Sequence, residues 1–277
     1  MSTFRNRALF QLALSLGACV FSPVFATSAV AQDDAPPAMR EPLREERSVR
    51  LPAGRAIEVD NRYGSVFVRF GGYEHQFDLQ VTRQQPDGAP AVDVAAGMRD
   101  GVYAVSVRLP AGAALADGQR VDLVLYVPEA HPLRVSTSFG GIESRGAKSD
   151  LDLRSESGDI SVRGTTGRLQ LHSDDGNLQA SIEGAARAGE QRLSTRTGNI
   201  SLGVSDALNA DVRMSSSGLL TTDYSLDIAH RDGEEPNKIG RLTVGTPAVG
   251  AQAASISLES LAGAIQLLRR AVYVDAP

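Results

Sequence analysis

The chain has 277 residues, with 28 Lys and Arg against 33 Asp and Glu, one Cys and no Trp. A net charge of −5 provides no basic surface for a phosphate backbone, so nucleic acid is not expected as a partner. A single Cys excludes a disulfide framework and a cysteine-rich zinc module. With 42% hydrophobic but only 5% aromatic residues, the core must be aliphatic.

Residues 1–31 have the order of regions typical of a secretory signal peptide. Arg5 and Arg7 precede an apolar run over residues 8–20, and Ala29, Val30 and Ala31 end a second apolar stretch. We expect cleavage after Ala31, which removes two Arg and the only Cys and leaves 26 basic against 33 acidic residues. The mature protein is therefore expected in the periplasm or outside the cell, with no transmembrane span.

Two alternatives remain open for this N-terminal segment. Residues 16–19 resemble a lipobox, and in that case Cys19 would carry a lipid anchor, although the residues that follow it stay apolar. A retained membrane anchor is the other alternative, and Pro23 interrupts the apolar stretch that it would need.

Residues 32–47 mix Pro with charge and predict a flexible, solvated leader before a single β-repeat domain over residues 48–274. In that domain apolar and polar residues alternate with a period of two, which predicts strands. The segments around 84–100 and 229–241 are rich in Pro, Gly and charge and are expected to be loops. The predicted strand positions include Ile57, Val59, Val66, Val68, Val105, Val107, Val121, Leu123, Leu125 and Val127.

A repeated unit centred on glycine fills most of the domain. Two residues after each glycine the chain has an aliphatic residue, five before it another aliphatic residue, and three before it Ser, Thr or Asn. The unit at Gly218 departs from this pattern, because Asp211 and Arg213 occupy inward positions, and we expect a bulge or shift there. The repeat glycines are Gly64, Gly140, Gly158, Gly176, Gly198, Gly218 and Gly263.

These offsets predict an all-β fold in which each unit is a strand, a tight glycine corner and a second strand. Glycine would supply the positive φ of the corner, and the neighbouring hydroxyl or amide would bond to the exposed backbone. Recurrence of the same residue types at the same offsets favours a β-solenoid of stacked units, with the Gly64 and Gly263 copies at its two ends. The alternative is an antiparallel β meander with two-residue hairpin turns at the glycines.

The repeats resemble a bacterial family of putative adhesins of unknown function built from β-strand repeats. The resemblance covers roughly residues 48–270 and includes the segments 121–128, 133–142 and 255–267. It implies an exported, envelope-associated, β-solenoid-like protein, and it carries no catalytic residues to transfer.

Residues with catalytic or metal-binding chemistry do not form a recognisable motif, so no catalytic, cofactor or metal site is predicted. The four histidines (His75, His131, His172 and His230) lack metal-ligand spacing, and His172 is expected on the surface. A calcium site would draw on Asp150, Asp152, Asp159, Asp174 and Asp175, but aspartate does not recur at one offset. Residues 215–218 suggest a turn and not a nucleophile.

Three functions are compatible with these features. The first is an exported, non-enzymatic protein that binds an unknown macromolecule, protein or glycan, at the envelope or cell surface. The second is a carbohydrate-active β-helix enzyme, a polysaccharide lyase or hydrolase, which requires charged residues to converge in one outward groove. The third is an accessory protein of envelope stress or signalling.

Overall fold

Nearly every stretch of alternating apolar and polar residues forms a strand. The computed structural model describes residues 38–270, so the expected signal peptide, Cys19 and residues 32–37 of the expected leader lie outside the described residues. Two short 3-10 helices, Asp206–Leu208 and Gly250–Gln252, are the helices of this range. No helix in the described part of the chain has the length and apolar character needed to cross a bilayer.

The strands of the described range are as follows. The first ten are β1 (Leu43–Arg50), β2 (Ile57–Asn61), β3 (Val66–Phe70), β4 (Gln76–Gln84), β5 (Asp93–Arg99), β6 (Val102–Arg108), β7 (Arg120–Val127), β8 (Leu133–Thr137), β9 (Ile142–Arg145) and β10 (Leu151–Ser155). The others are β11 (Ile160–Thr165), β12 (Leu169–Ser173), β13 (Leu178–Ile182), β14 (Gly189–Thr195), β15 (Ile200–Val204), β16 (Ala210–Ser216), β17 (Leu220–Thr222), β18 (Asp227–His230), β19 (Lys238–Val244), β20 (Ala254–Ser260) and β21 (Ile265–Arg269).

The strands form two sheets with a shared core. Sheet 1 has ten strands in the order β1-β4-β7-β3-β9-β11-β13-β15-β21-β17, and sheet 2 has eleven in the order β18-β19-β16-β20-β14-β12-β10-β8-β2-β6-β5. The strands before and after each repeat glycine lie in different sheets, and each pairs in parallel with the equivalent strand of the next unit. The stacked solenoid is therefore confirmed, and the antiparallel meander is wrong, because hairpins would pair these strands with each other.

Aliphatic side chains of both sheets meet between them and form one continuous core. The two aliphatic columns of the repeat point inward: Leu153, five before its glycine, and Ile160, two after the same glycine, are fully buried. In register, Leu153 lies between Val135 and Leu171 of the neighbouring strands. We call a sheet 2 strand, its glycine corner and the next sheet 1 strand a coil. Each coil thus covers the apolar face of its neighbour.

The order of the coils in space differs from their order in sequence. Along the stack the corner glycines follow as Gly64, Gly140, Gly158, Gly176, Gly198, Gly263 and Gly218. The expectation that the Gly64 and Gly263 copies end the stack is wrong. The last coil of the chain lies between the coils of Gly198 and Gly218, and a coil made of β6 and β7 covers the coil of Gly64.

Antiparallel strands complete both ends of the stack. β4 and β5 pair with β7 and β6 at one end, and β19 pairs with β16 at the other. Strands also occupy segments expected to be loops or leader: β5 lies in 84–100, parts of β18 and β19 lie in 229–241, and β1 begins at Leu43. Those expectations are wrong there. β1, β5 and β18 are edge strands, and an edge strand needs few apolar residues, since it has one sheet neighbour and an exposed face.

The corner glycines are required by close approach and not by backbone conformation. They are absent from the residues with positive φ, so the expected reason for glycine is wrong. A Cβ at Gly140, Gly158, Gly176 or Gly198 would overlap the carbonyl oxygen of the corner glycine in the neighbouring coil. Glycine alone lets the backbones of successive corners touch.

The small polar column three residues before each glycine holds these corners together. Ser173 Oγ accepts a hydrogen bond from Gly176 N–H at 2.9 Å and donates one to the carbonyl oxygen of Gly158 at 3.0 Å. Ser260 repeats both bonds in its own coil. The expected bonding of this column to the corner backbone is confirmed, and it extends to the backbone of the adjacent coil.

The expected shift at the Gly218 unit is present as a one-residue change of register. Met214 pairs with Leu258 although it lies four residues before its glycine, and Ser216 replaces Ser215 as the corner hydroxyl. The shift turns Asp211 and Arg213 outward, and both are exposed.

Candidate functional site

Ion pairs join part of the charge on the exposed side of sheet 2. Arg134 and Arg154 both lie 3.0 Å from Asp152, and Arg192 pairs with Glu259. Such exposed pairs contribute little to stability.

A cavity opens on this face, where β18, β19 and β16 join β20 and β14. It has a volume of 710 Å³. Its polar lining includes Glu190, Asp211, Arg213, Asp227, Arg241 and Ser257, and we name it the hairpin cavity after the antiparallel strands that form one side. A cavity of this volume is large enough for a sugar unit or several amino-acid side chains.

Two arginines are direct neighbours in the hairpin cavity. Arg213 and Arg241 are paired residues of β16 and β19, and both are exposed. Among residues 38–270 no carboxylate lies within ion-pair distance of either guanidinium, and neither donates a side-chain hydrogen bond. Like charges directly opposite on antiparallel strands are destabilising, so fold stability does not account for this pair.

The remaining polar groups complete a hydrogen-bonding lining. Asp211 accepts a hydrogen bond from Thr243 Oγ1 at 2.7 Å, which fixes its carboxylate. Ser257 is the partner of Arg213 on β20, and Glu190 on β14 is the partner of Ser255. Guanidinium groups bind carboxylates with paired hydrogen bonds, and carboxylates accept hydrogen bonds from hydroxyls, so this lining suits a polar ligand that carries both groups.

The histidines lie far apart in the structure as well as in the sequence. His172 is exposed as expected, with Nδ1 2.9 Å from Ser194 Oγ and Nε2 3.4 Å from Asp174. His131 is buried, and its Nδ1 lies 2.7 Å from the carbonyl oxygen of Arg55. Between residues 38 and 270 no three His, Cys, Asp or Glu side chains group as metal ligands would.

The aspartates considered for calcium have structural partners. Asp159 accepts the backbone N–H of Asn177 at 2.7 Å, and Asp150 accepts that of Arg168 at 3.0 Å. Asp175 pairs with Arg196 at 2.7 Å.

Sequence reasoning missed the residues of the hairpin cavity. Arg213 and Asp211 were placed inward, because their offset was counted from Gly218. The alternation of Val212 and Met214, both buried, is the signal that would have placed them outward. Arg241 lay in a segment expected to be a loop.

Comparison with known proteins gives a family match and distant structural likenesses. Residues 116–240 match the Toastrack DUF4097 family, which confirms the resemblance to a β-repeat family. The match contains the corners from Gly140 to Gly218 and leaves out the coils of Gly64 and Gly263. The comparison with curated proteins found no match.

Among solved structures, a putative cell adhesion protein from Clostridium sporogenes has 11% sequence identity and a TM-score of 0.48, covering 83% of this chain and 100% of its own. A putative adhesin from Bacteroides fragilis has 12% identity and a TM-score of 0.43, with coverage of 81% and 97%. A putative adhesin from Parabacteroides distasonis has 10% identity and a TM-score of 0.29, with coverage of 81% and 97%.

Proposed function

We propose that this protein, in which residues 116–240 match the Toastrack DUF4097 family, is an exported, non-enzymatic protein of the cell envelope or surface that binds a macromolecule. Binding would use the outer faces of the stacked coils, and the hairpin cavity would hold the polar group that the protein recognises. The signal-peptide pattern of residues 1–31 supports export.

The observation that carries this proposal is the pair of unpartnered guanidinium groups in the hairpin cavity. Arg213 and Arg241 project from strands that are hydrogen-bonded on both sides, within sheet 2, so their backbones are held in place. The ordering cost of binding is therefore confined to the two side chains. A repeat fold of this kind presents an extended surface around such a site.

Binding to isolated cell envelopes tests the role of the cavity. Three proteins are each sedimented with the envelopes: the mature protein beginning at Gln32, the double variant R213Q/R241Q, and the control R134Q, whose substitution lies on the same face of sheet 2 outside the cavity. We expect the double variant to lose about tenfold or more in affinity, since each charged hydrogen bond contributes about 1.5–3 kcal/mol. Equal sedimentation of all three proteins would contradict the proposal.

One feature of the cavity favours carbohydrate hydrolysis as a second candidate function. Glu190 and Asp211 lie on either side of Ser255, so two strand spacings, about 10 Å, separate their backbones. Inverting glycoside hydrolases hold two carboxyl groups about 6.5–9.5 Å apart. The test is release of reducing ends from an envelope polysaccharide. Release that E190Q abolishes and the exposed control E58Q does not would establish hydrolysis in place of non-enzymatic binding.

Export is tested separately from binding. Cell fractionation followed by determination of the mature N-terminus should give a soluble protein that starts at Gln32. A lipid on Cys19 would establish the tethered form instead, and an uncleaved cytoplasmic protein would contradict export.

A further inference from the structure

The outer face of sheet 1 carries arginines in a single line across neighbouring strands. Arg69 of β3 pairs in register with Arg145 of β9, and Arg145 with Arg163 of β11. Successive parallel strands lie about 4.8 Å apart, so the Cα atoms of the three arginines follow one another at that spacing. The line runs along the stack, across the strands.

A fourth arginine extends this line. Ser181 of β13 accepts a hydrogen bond from the N–H of Gly164, the residue after Arg163, and pairs in register with Gly203 of β15. A Cβ at Gly203 would lie 3.0 Å from Arg270 Cγ and 3.6 Å from Arg270 Nε. The Arg270 side chain therefore lies across the glycine, and we name Arg69, Arg145, Arg163 and Arg270 the arginine row.

The arginine row is a local excess of positive charge on an acidic protein. Glu143 is the one carboxylate of the described chain that pairs with it, 3.4 Å from Arg69 and 2.5 Å from Arg145. Arg163 and Arg270 have no carboxylate within ion-pair distance among residues 38–270. Aligned like charges repel, so the row costs stability unless an anion covers it.

The face beside the row offers space and an aromatic ring. A cavity of 350 Å³ lies between Arg163 and Arg270, with Gln179, Ser181 and Ser201 as further polar lining. At the other end Tyr126, 39% exposed, pairs in register with Arg69. Hydroxyl and amide groups hydrogen-bond to sugar hydroxyls, and an exposed phenol ring packs against the apolar face of a sugar.

We propose that the arginine row is a binding site for a linear acidic polysaccharide that carries carboxylates, lying along the stack on sheet 1. Such a chain carries a carboxylate on every uronic-acid unit, so when it lies along the stack several carboxylates come within reach of the long arginine side chains. Each guanidinium binds a carboxylate through two parallel N–H···O bonds.

This inference goes beyond the proposed function, because it concerns the opposite sheet and names a ligand class. It does not depend on the hairpin cavity. The hairpin cavity and the arginine row are tested with different variants, so either proposal can fail while the other stands.

The experiment measures binding of a linear oligogalacturonate, long enough to cover the row, by isothermal titration calorimetry. The mature protein is compared with R145Q/R163Q and with a control variant, R134Q/R154Q, that removes two arginines from sheet 2. We expect R145Q/R163Q to lose about tenfold or more in affinity and the control to bind as the unchanged protein does. Added salt should weaken binding of the unchanged protein more than that of R145Q/R163Q.

Three results would overturn the proposal. The first is equal affinity of R145Q/R163Q and the unchanged protein, or no binding by either. The second is binding of the methyl-esterified oligogalacturonate, in which the carboxylates are blocked, as tightly as of the free acid. The third is equal or tighter binding of a sulfated polysaccharide or inorganic polyphosphate, which would assign the row to another anion. Unchanged circular dichroism of the variants shows that the fold is retained.

Discussion

Single atoms at the glycine corners decide whether the coils can stack. At Gly158 the nearest neighbours of an added Cβ belong to the backbone of Gly140 and Gly141, which cannot move without moving a whole coil. Flexible side chains can relieve an overlap, but hydrogen-bonded backbone cannot. The repeat glycine is therefore a packing requirement of the stack.

We predict that Gly158→Ala lowers the free energy of unfolding by about 2 kcal/mol or more, because the methyl group forces two coils apart. Urea denaturation measures this change. The matched control is Gly97→Ala in β5, where an added Cβ meets nothing within 4 Å and φ is not positive. Similar effects of the two substitutions would show that the close approach at Gly158 is not real.

A buried glutamine interrupts one aliphatic column. Gln191 is fully buried, and within residues 38–270 neither its Oε1 nor its Nε2 has a hydrogen-bond partner. Its register partner on β20 is Ile256. A buried amide without partners costs about 1–3 kcal/mol relative to a paired one.

We predict that Gln191→Leu raises the free energy of unfolding by about 1–2 kcal/mol, since leucine fits the column and needs no partner. The control is Gln179→Leu on the exposed face of β13, which should give no gain. A fall in the urea midpoint for Gln191→Leu would mean that the amide is bonded after all.

At the scale of elements, β1 is an edge strand whose charged residues attach it to β4. Glu45 accepts hydrogen bonds from Arg47 at 2.5 Å and from Arg83 at 2.8 Å. These two bonds, with Arg47 the stronger cause, hold the pKa of Glu45 below its ordinary value, against a smaller opposing effect of burial. The carboxylate therefore stabilises the folded strand when it is ionised.

This lowered pKa predicts that β1 loosens in acid. A carboxyl whose folded pKa is depressed contributes stability above its unfolded pKa, and loses it as the pH falls through the folded pKa. Amide hydrogen exchange in β1 should therefore speed up, relative to β10, as the pH falls below about 4. Glu45→Gln should remove most of this difference and cost less than about 1 kcal/mol at pH 7, because the pair is partly exposed. An acid response of β1 that Glu45→Gln leaves unchanged would contradict this cause.

The strands of the repeat could be predicted from the sequence, and the terminal strands could not. Leu153 and Ile160 lie at offsets that recur in every unit, so their burial follows from the pattern. β5 has only Val94 fully buried, and β18 has no buried residue, so neither shows the alternation that predicts a strand. The hairpin cavity depends on β19 and on the shifted register of β16, and for that reason it was not predicted.

At the scale of the whole molecule, the order of the coils determines which residues become neighbours. Ser201 and Gln266 are adjacent although 65 positions separate them in the chain, because β21 lies between β15 and β17. Nothing in the repeat pattern gives this order, since every unit presents the same inward columns to its neighbours.

This arrangement also covers the first and last coils of the repeat. The first and last repeat coils each lie one position inside the stack, covered by a coil from the interior of the sequence. A terminal coil therefore cannot detach without disrupting its cover. Both binding surfaces proposed above depend on this order: Arg213 needs β20 beside it, and the row ending at Arg270 needs β21 beside β15.

Disulfide crosslinking between the outer positions of these strands tests the non-sequential stack most directly. The mature chain is expected to lack cysteine, and adjacent parallel strands at about 4.8 Å place Cα atoms within disulfide range. S201C/Q266C should crosslink quantitatively under mild oxidation, as mapped by mass spectrometry, while S201C/T221C, two strands apart, should not. Crosslinking of S201C/T221C with none in S201C/Q266C would place the coils in sequence order and contradict the account.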